Sequence, residues 1–360
     1  MSASLSSIHV RVRACCAIVA MLMLAGPATA SRAATVSQQQ RAATAAPQLF
    51  APTSVWNQPL AASAPLDPAS STLSSALAGA AASEYQLGTG PWIATSTAST
   101  PIYQVPADQP TVTVQLDNPT LSWRVSLQSA FDAVPIPSGA QPAAGPDQHM
   151  VIWQPSTDEM WEFFHMRLEA NGWHAGWGGA IAHVSQSPGY YTTSSWPGAL
   201  PQWGATASSL AVAGGVITLA EIQSGQINHA LALDVPQARA GVFAFPAQRT
   251  DGVGTVATDL PEGAHLRLDP NLNLSALHLP TLVMMMAQAA QKYGIIVRDQ
   301  TQDGISFYIQ DPTPTGTNPF YANGVPAKNG PFQGQWPTAL MHSFPWGSIQ
   351  VLKMNLQSLT

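Results

Sequence analysis

The stretch that most constrains this chain is residues 147–167, DQHMVIWQPSTDEMWEFFHMR. β-Branched and aromatic residues flank Pro155-Ser156-Thr157-Asp158, a cluster of turn formers, so the stretch reads as a hairpin of two strands. If Gln154 pairs with Glu159, then Val151 faces Glu162 and His149 faces Phe164. Alternation along each strand sorts these side chains onto two faces. Met150, Ile152, Trp161 and Phe163 form an apolar face suited to a core, and Asp147, His149, Trp153 and Glu162 share the other. Acid, imidazole, indole and acid on one surface is the composition of a sugar-handling cleft.

The rest of the chain carries the same grain. Short β-type runs at 102–105, 111–116 and 122–127 are broken by Pro, Asp and Asn, and more follow at 173–184, 229–235 and 241–245. A hairpin is expected from 295–297 and 305–309 around Gln302-Asp303-Gly304, with a closing strand at 348–352. Helices are few. One opens with Asp67 as N-cap and Pro68 at its first position and runs to Ala82, with Leu73 and Leu77 on one stripe. Thr218 and Glu221 have the spacing of a capping box, with Gly225 ending that helix, and 280–293 is the clearest helix, stopped by Gly294. The expected fold class is mainly β, an antiparallel sandwich or barrel-like domain with a few short α-helices.

Composition bounds the setting. Arg11 and Arg13 precede an apolar run at 14–26 and the small residues Ala28-Thr29-Ala30, the layout of a secretory signal cleaved near residue 30. Residues 31–47 read as a flexible leader, and 48–360 as a single β-rich domain of a secreted or periplasmic protein. No stretch reaches the roughly 20 apolar residues of a membrane span. The formal net charge is −6, and cleavage would remove two of the 13 Lys+Arg and none of the 19 Asp+Glu. An acidic chain poor in Lys and Arg is a poor partner for nucleic acid. Both cysteines, Cys15 and Cys16, fall in the signal, which leaves the mature fold to rest on its own core.

Several residues are candidates for chemistry. Asp147 and His149 share a face with Glu162, where a partly buried acid can work as general acid or base and an adjacent imidazole can tune it. Glu221 is a possible second carboxylate of a two-acid mechanism, or the Glu of a capping box. His229 follows closely enough to face the same cleft, or to fill a core position. Trp153, Trp177 and Trp203 are candidates to stack on sugar rings, since exposed indoles do so along grooves. His165, His174 and His183 have no metal-ligand spacing, so no metal or other cofactor is expected. There is no GxSxG elbow and no phosphate-cradling glycine loop. Arg267, Lys292 and Asp299 read as structural.

Taken in order, Ser54-Val55-Trp56-Asn57, VPADQP at 105–110, DQHM at 147–150, WEFF at 161–164, GWGGAI at 176–181, EIQSGQINHAL at 221–231 and KYGIIVRD at 292–299 resemble a widespread family of secreted bacterial and fungal proteins. The resemblance implies a carbohydrate-active protein in which Asp147, His149, Glu162, Glu221 and His229 matter. This chain departs from that pattern at Trp203-Gly204-Ala205-Thr206-Ala207-Ser208, which lacks an acid. The expectation is a glycoside hydrolase acting on a polysaccharide or oligosaccharide through paired carboxylates. The alternatives are a polysaccharide lyase with a His base and a non-catalytic carbohydrate-binding or cell-envelope protein.

Overall fold

The central hairpin forms in the register that its residues dictate. In the computed structural model, which describes residues 48–118 and 125–358, strands β4 (Met150–Gln154) and β5 (Glu159–Phe164) pair with Gln154 opposite Glu159 and Val151 opposite Glu162. They belong to a four-stranded sheet completed by β2 (Ile102–Gln104), parallel to β4, and β8 (Trp177–Ile181), antiparallel to β5. A three-stranded sheet holds β3 (Val114–Leu116), β6 (Arg167–Glu169) and β7 (Gly172–Ala175).

The second large sheet has six strands in the order β1 (Trp92–Ala94), β13 (Ser306–Tyr308), β9 (Leu231–Val235), β12 (Ile295–Gln300), β11 (His265–Leu268) and β16 (Ile349–Val351). Its central strands LALDV and IIVRDQ pair in parallel. Alternation gives this sheet two faces. Leu231, Leu233, Ile295 and Val297 share a core with α1 (Ser70–Leu87), α4 (Thr281–Lys292) and α5 (Pro337–His342). Ala232, Ile296 and Tyr308 belong instead to the core of the four-stranded sheet, and Asp234 and Arg298 share their parity along β9 and β12. Two short two-stranded sheets, β10 (Val242–Ala244) with β17 (Leu356–Ser358) and β14 (Tyr321–Ala322) with β15 (Val325–Pro326), lie outside this arrangement.

The chain is thus mainly β with a few short helices, as its patterning dictates, and its sheets are mixed, with no closed barrel among the described residues. Several local expectations are corrected. Residues 125–130 form a helix, α2, where a strand was expected up to 127; Leu127 and Ala130 bury, and the Gln128 side chain bonds the backbone of Leu116 and Val114 at the edge of β3. Residues 122–124 lie outside the described residues, as does the stretch 1–47 where a signal and a leader are expected. β12 and β13 do not form a hairpin, because the apolar strand β9 sits between them. Helix α1 starts at Ser70 and runs to Leu87, with Gly88 as its left-handed cap; Asp67 accepts from the Ala69 amide instead of capping the helix. Helix α3 (Leu219–Ser224) has the capping box of Thr218 and Glu221 as read.

One glycine shows how tightly the four-stranded sheet fits the loop that packs on it. A Cβ on Gly179 would lie 2.4 Å from Cζ of Tyr191, a fully buried ring. Overpacking of this kind costs about 1–3 kcal/mol. Gly179→Ala is therefore expected to lower the thermal unfolding midpoint of the protein; a midpoint equal to wild type would contradict this packing.

Candidate functional site

On the face of the four-stranded sheet opposite Met150, Ile152, Trp161 and Phe163, the pairing lays out three rows. They are His149, Phe164 and Trp177; then Val151, Glu162 and Gly179; then Trp153, Met160 and Ile181. The expected clustering of His149 and Glu162 on one face is therefore present. The expected opening above them is not. Residues 203–212 run across this face, and every group of the predicted catalytic set on it except Asp147 is covered: His149 is 6 % exposed, Glu162 0 %.

Glu162 is held by that crossing segment. Oε1 accepts from the Ala205 amide at 2.8 Å and Oε2 from the Val212 amide at 2.9 Å. Burial pushes its pKa up to about 7 against the downward pull of those two bonds and of the Arg298 charge. The Tyr191 hydroxyl approaches the carboxyl group without completing a hydrogen bond of normal geometry. His149 sits 3.2 Å from the Ala205 carbonyl through Nε2. A carbonyl only accepts, so the ring proton belongs on Nε2, and burial, reinforced by the Arg298 charge, pushes the pKa down to about 4. Its Nδ1 is buried and has no partner.

The other sheet grips the same segment from the opposite side. Arg298 donates to the Val212 carbonyl at 2.9 Å, pairs with Asp234 at 3.2 Å and lies 4.1 Å from the centre of the Tyr308 ring. Asp299 accepts from the Ala207 amide at 3.0 Å, and the Ser208 hydroxyl donates to the Arg298 carbonyl. Arg249 reaches Ser209, Gly204 and Thr206. A polar layer thus runs between the sheets, with the chain at 203–212 stitched through it.

The remaining sequence candidates divide clearly. Glu221 closes its capping box: Oε2 accepts from the Thr218 amide and hydroxyl and from His229 Nε2, and Oε1 from the Asn228 amide. His229 donates to Glu221 at 3.0 Å and to the Ala230 carbonyl at 2.8 Å, so both ring nitrogens carry protons. Burial opposes that charge, but the Glu221 carboxylate raises the His229 pKa and is itself lowered in return. This pair is a satisfied structural unit, far from offering a lone pair to a substrate. Trp203 is 0 % exposed and Trp153 9 %, so neither presents a ring to a sugar; both pack in the core. The indole of Trp177, also 9 % exposed, ends its row at the sheet edge with the Arg249 guanidinium 5.9 Å from its ring.

That edge is where polar groups reach solvent. Asp147 is half-buried just before β4, and Gln148 beside it and His165 just after β5 hold left-handed φ values of 46° and 52°. Non-glycine residues in that region store strain, which clusters at functional sites. Burial raises the Asp147 pKa; His165 and Arg298 oppose the rise and the exposed Asp303 adds to it. Asp303 belongs to the turn before β13, its backbone carbonyl fixed by the Trp92 indole at 2.8 Å. In a separate cluster, Asp251, Glu262 and Asp299 bring carboxylate oxygens within 4.8 Å of one another. Burial raises both Glu262 and Asp299, the latter also through Asp234. None of Asp303, Asp251 or Glu262 stands out in the sequence. The signal available was an acid beside a turn glycine, in Asp303-Gly304 and Glu262-Gly263, and that pattern is common in loops.

No family model matches the chain, and comparison with curated proteins and with solved structures finds no match.

Glu162 couples stability to pH. Its folded value of about 7 lies above the ordinary 4.5, so the proton-bound folded state is favoured below pH 4.5 and that contribution is lost as pH rises through 7. The full swing is on the order of 3 kcal/mol. Glu162→Gln, whose amide offers one acceptor oxygen to two N–H groups, is expected to cost about 1–3 kcal/mol and to lack this dependence. Urea unfolding of both proteins across this range measures it, and parallel pH curves for the two would refute the assignment.

Proposed function

We propose that the protein is a secreted carbohydrate-active enzyme, a glycoside hydrolase that cleaves a polysaccharide or oligosaccharide at the edge of the four-stranded sheet. The observation that carries this reading is the setting of Asp147, half-buried at the end of the sheet between the covered His149 row and solvent, with Gln148 and His165 beside it in the left-handed region. Burial makes its carboxyl group hold its proton more tightly than usual, and the charge of the exposed Asp303 adds to that effect. An acid that keeps its proton through burial, with a second carboxyl group open to solvent, is the kind of pair that hydrolysis of a glycosidic bond uses. In this reading Asp147 protonates the leaving oxygen, and Asp303 attacks the sugar or activates water. Phe164, half-buried and stacked on the exposed His165 ring, supplies apolar ring surface beside Asp147.

Glu162 and Glu221, the carboxylates first expected in these roles, act instead as internal ties, because each already accepts backbone hydrogen bonds within the protein. A lyase reading with His229 as base is weakened by the same kind of argument, since that imidazole has no lone pair to take a proton.

Incubation of the protein with a polysaccharide panel, scored together for reducing ends and ultraviolet absorbance, tests the reading. Reducing ends without an unsaturated product are expected. Asp147→Asn and Asp303→Asn should each lower kcat by about 10²–10⁴-fold while leaving the thermal midpoint in place. Full activity in Asp147→Asn, or an unsaturated product, would sink it.

A further inference from the structure

Asp251, Glu262 and Asp299 come from three separate parts of the chain: the exposed loop after β10, the turn just before β11, and the end of β12. Each presents one carboxylate oxygen within 4.8 Å of the other two. Three carboxyl groups that close repel one another unless protons or a counter-charge intervene. Arg249 has a charge that reaches all three, but its bonds go elsewhere: Nε to the Ser209 hydroxyl at 2.9 Å, and Nη2 to the carbonyls of Thr206 at 2.7 Å and Gly204 at 3.3 Å. Asp299 is partly satisfied by the amides of Ala207 and Gln300.

Glu262 supplies the second, independent observation. It is 0 % exposed, and neither Oε1 nor Oε2 has a hydrogen-bond partner. Thr250 and Asp251 approach it without reaching bonding geometry. Leaving a buried carboxylate with no donor is expensive, and buried charges are found paired or coordinating metal. Its position is fixed from the backbone, where the Glu262 carbonyl accepts from the Ala244 amide and Gly263 donates to the Val297 carbonyl. The side chain is therefore held, unpartnered, toward two other carboxylates, one of which opens to solvent.

We infer that Asp251, Glu262 and Asp299 form a binding site for a divalent cation of the hard, oxygen-preferring class, calcium or magnesium, with water completing the shell on the Asp251 side. Carboxylates from separated segments with open positions for water are the donors such ions take. The cation would supply the partner that Glu262 lacks, and would tie the loop after β10 to β11 and β12. This site is distinct from the Asp147 and Asp303 pair, so it stands whether or not the protein turns over a sugar.

The full-length protein, treated with chelator and dialysed, is titrated with calcium chloride and with magnesium chloride by isothermal calorimetry, and its thermal midpoint is followed in parallel. Saturable binding of either ion with a rise in the midpoint is expected. Asp251→Asn, at an exposed position that leaves the core intact, should weaken that binding by at least about tenfold. No saturable binding of either ion, or unchanged affinity in Asp251→Asn, overturns the inference.

Discussion

The structure depends on one residue's backbone being held from two sides. The Val212 amide donates to Glu162 on the four-stranded sheet, and its carbonyl accepts from Arg298 on the six-stranded sheet. Ala205 is held twice from the four-stranded sheet alone, its amide on Glu162 and its carbonyl on His149. Buried backbone groups must find partners, and a chain segment without regular structure cannot find them in itself. Here the partners are charged or polar side chains projecting from both sheets. A buried charge is tolerated when it is hydrogen-bonded, and Glu162, Arg298 and Asp299 each meet that condition by bonding the segment between them.

This arrangement explains why charges deep in the protein are structural and those at the rim are candidates for chemistry. Glu162, Glu221 and His229 have their lone pairs and protons committed to neighbours. Elsewhere the commitments thin out: Asp147, at the end of the four-stranded sheet, is half-buried, Asp303 and Asp251 in loops are exposed, and Glu262 is enclosed yet unpartnered. Chemistry requires a group that is both perturbed and reachable. The edge of the four-stranded sheet meets both conditions, and its centre meets only the first.

The register of the hairpin was legible because it follows from local chemistry: turn formers between two runs of β-formers, and a period of two. The capping box at Thr218 and Glu221 was legible for the same reason. What could not be read was the cover. Whether the face carrying His149 and Glu162 opens to solvent depends on residues 203–212, which are some 40 to 50 positions away from Glu162 along the chain and have no periodicity that aims them at it. The lack of an acid in Trp203-Gly204-Ala205-Thr206-Ala207-Ser208 was visible; that its amides serve an acid elsewhere was not. In the same way β9 enters between β12 and β13 because its apolar run suits a fully buried strand, a preference that sequence shows without naming the neighbours.

An irregular stretch of chain is ordinarily the part of a protein most open to editing, since its ends can absorb a residue gained or lost. Residues 203–212 have no such slack. An insertion between Ala205 and Val212 would move one of Glu162's two donors away from its oxygen, or carry the Val212 carbonyl off Arg298. Length in this region is therefore as constrained as in a strand, and natural or designed variation of the protein should fall instead in the outer loops, where backbone groups face water.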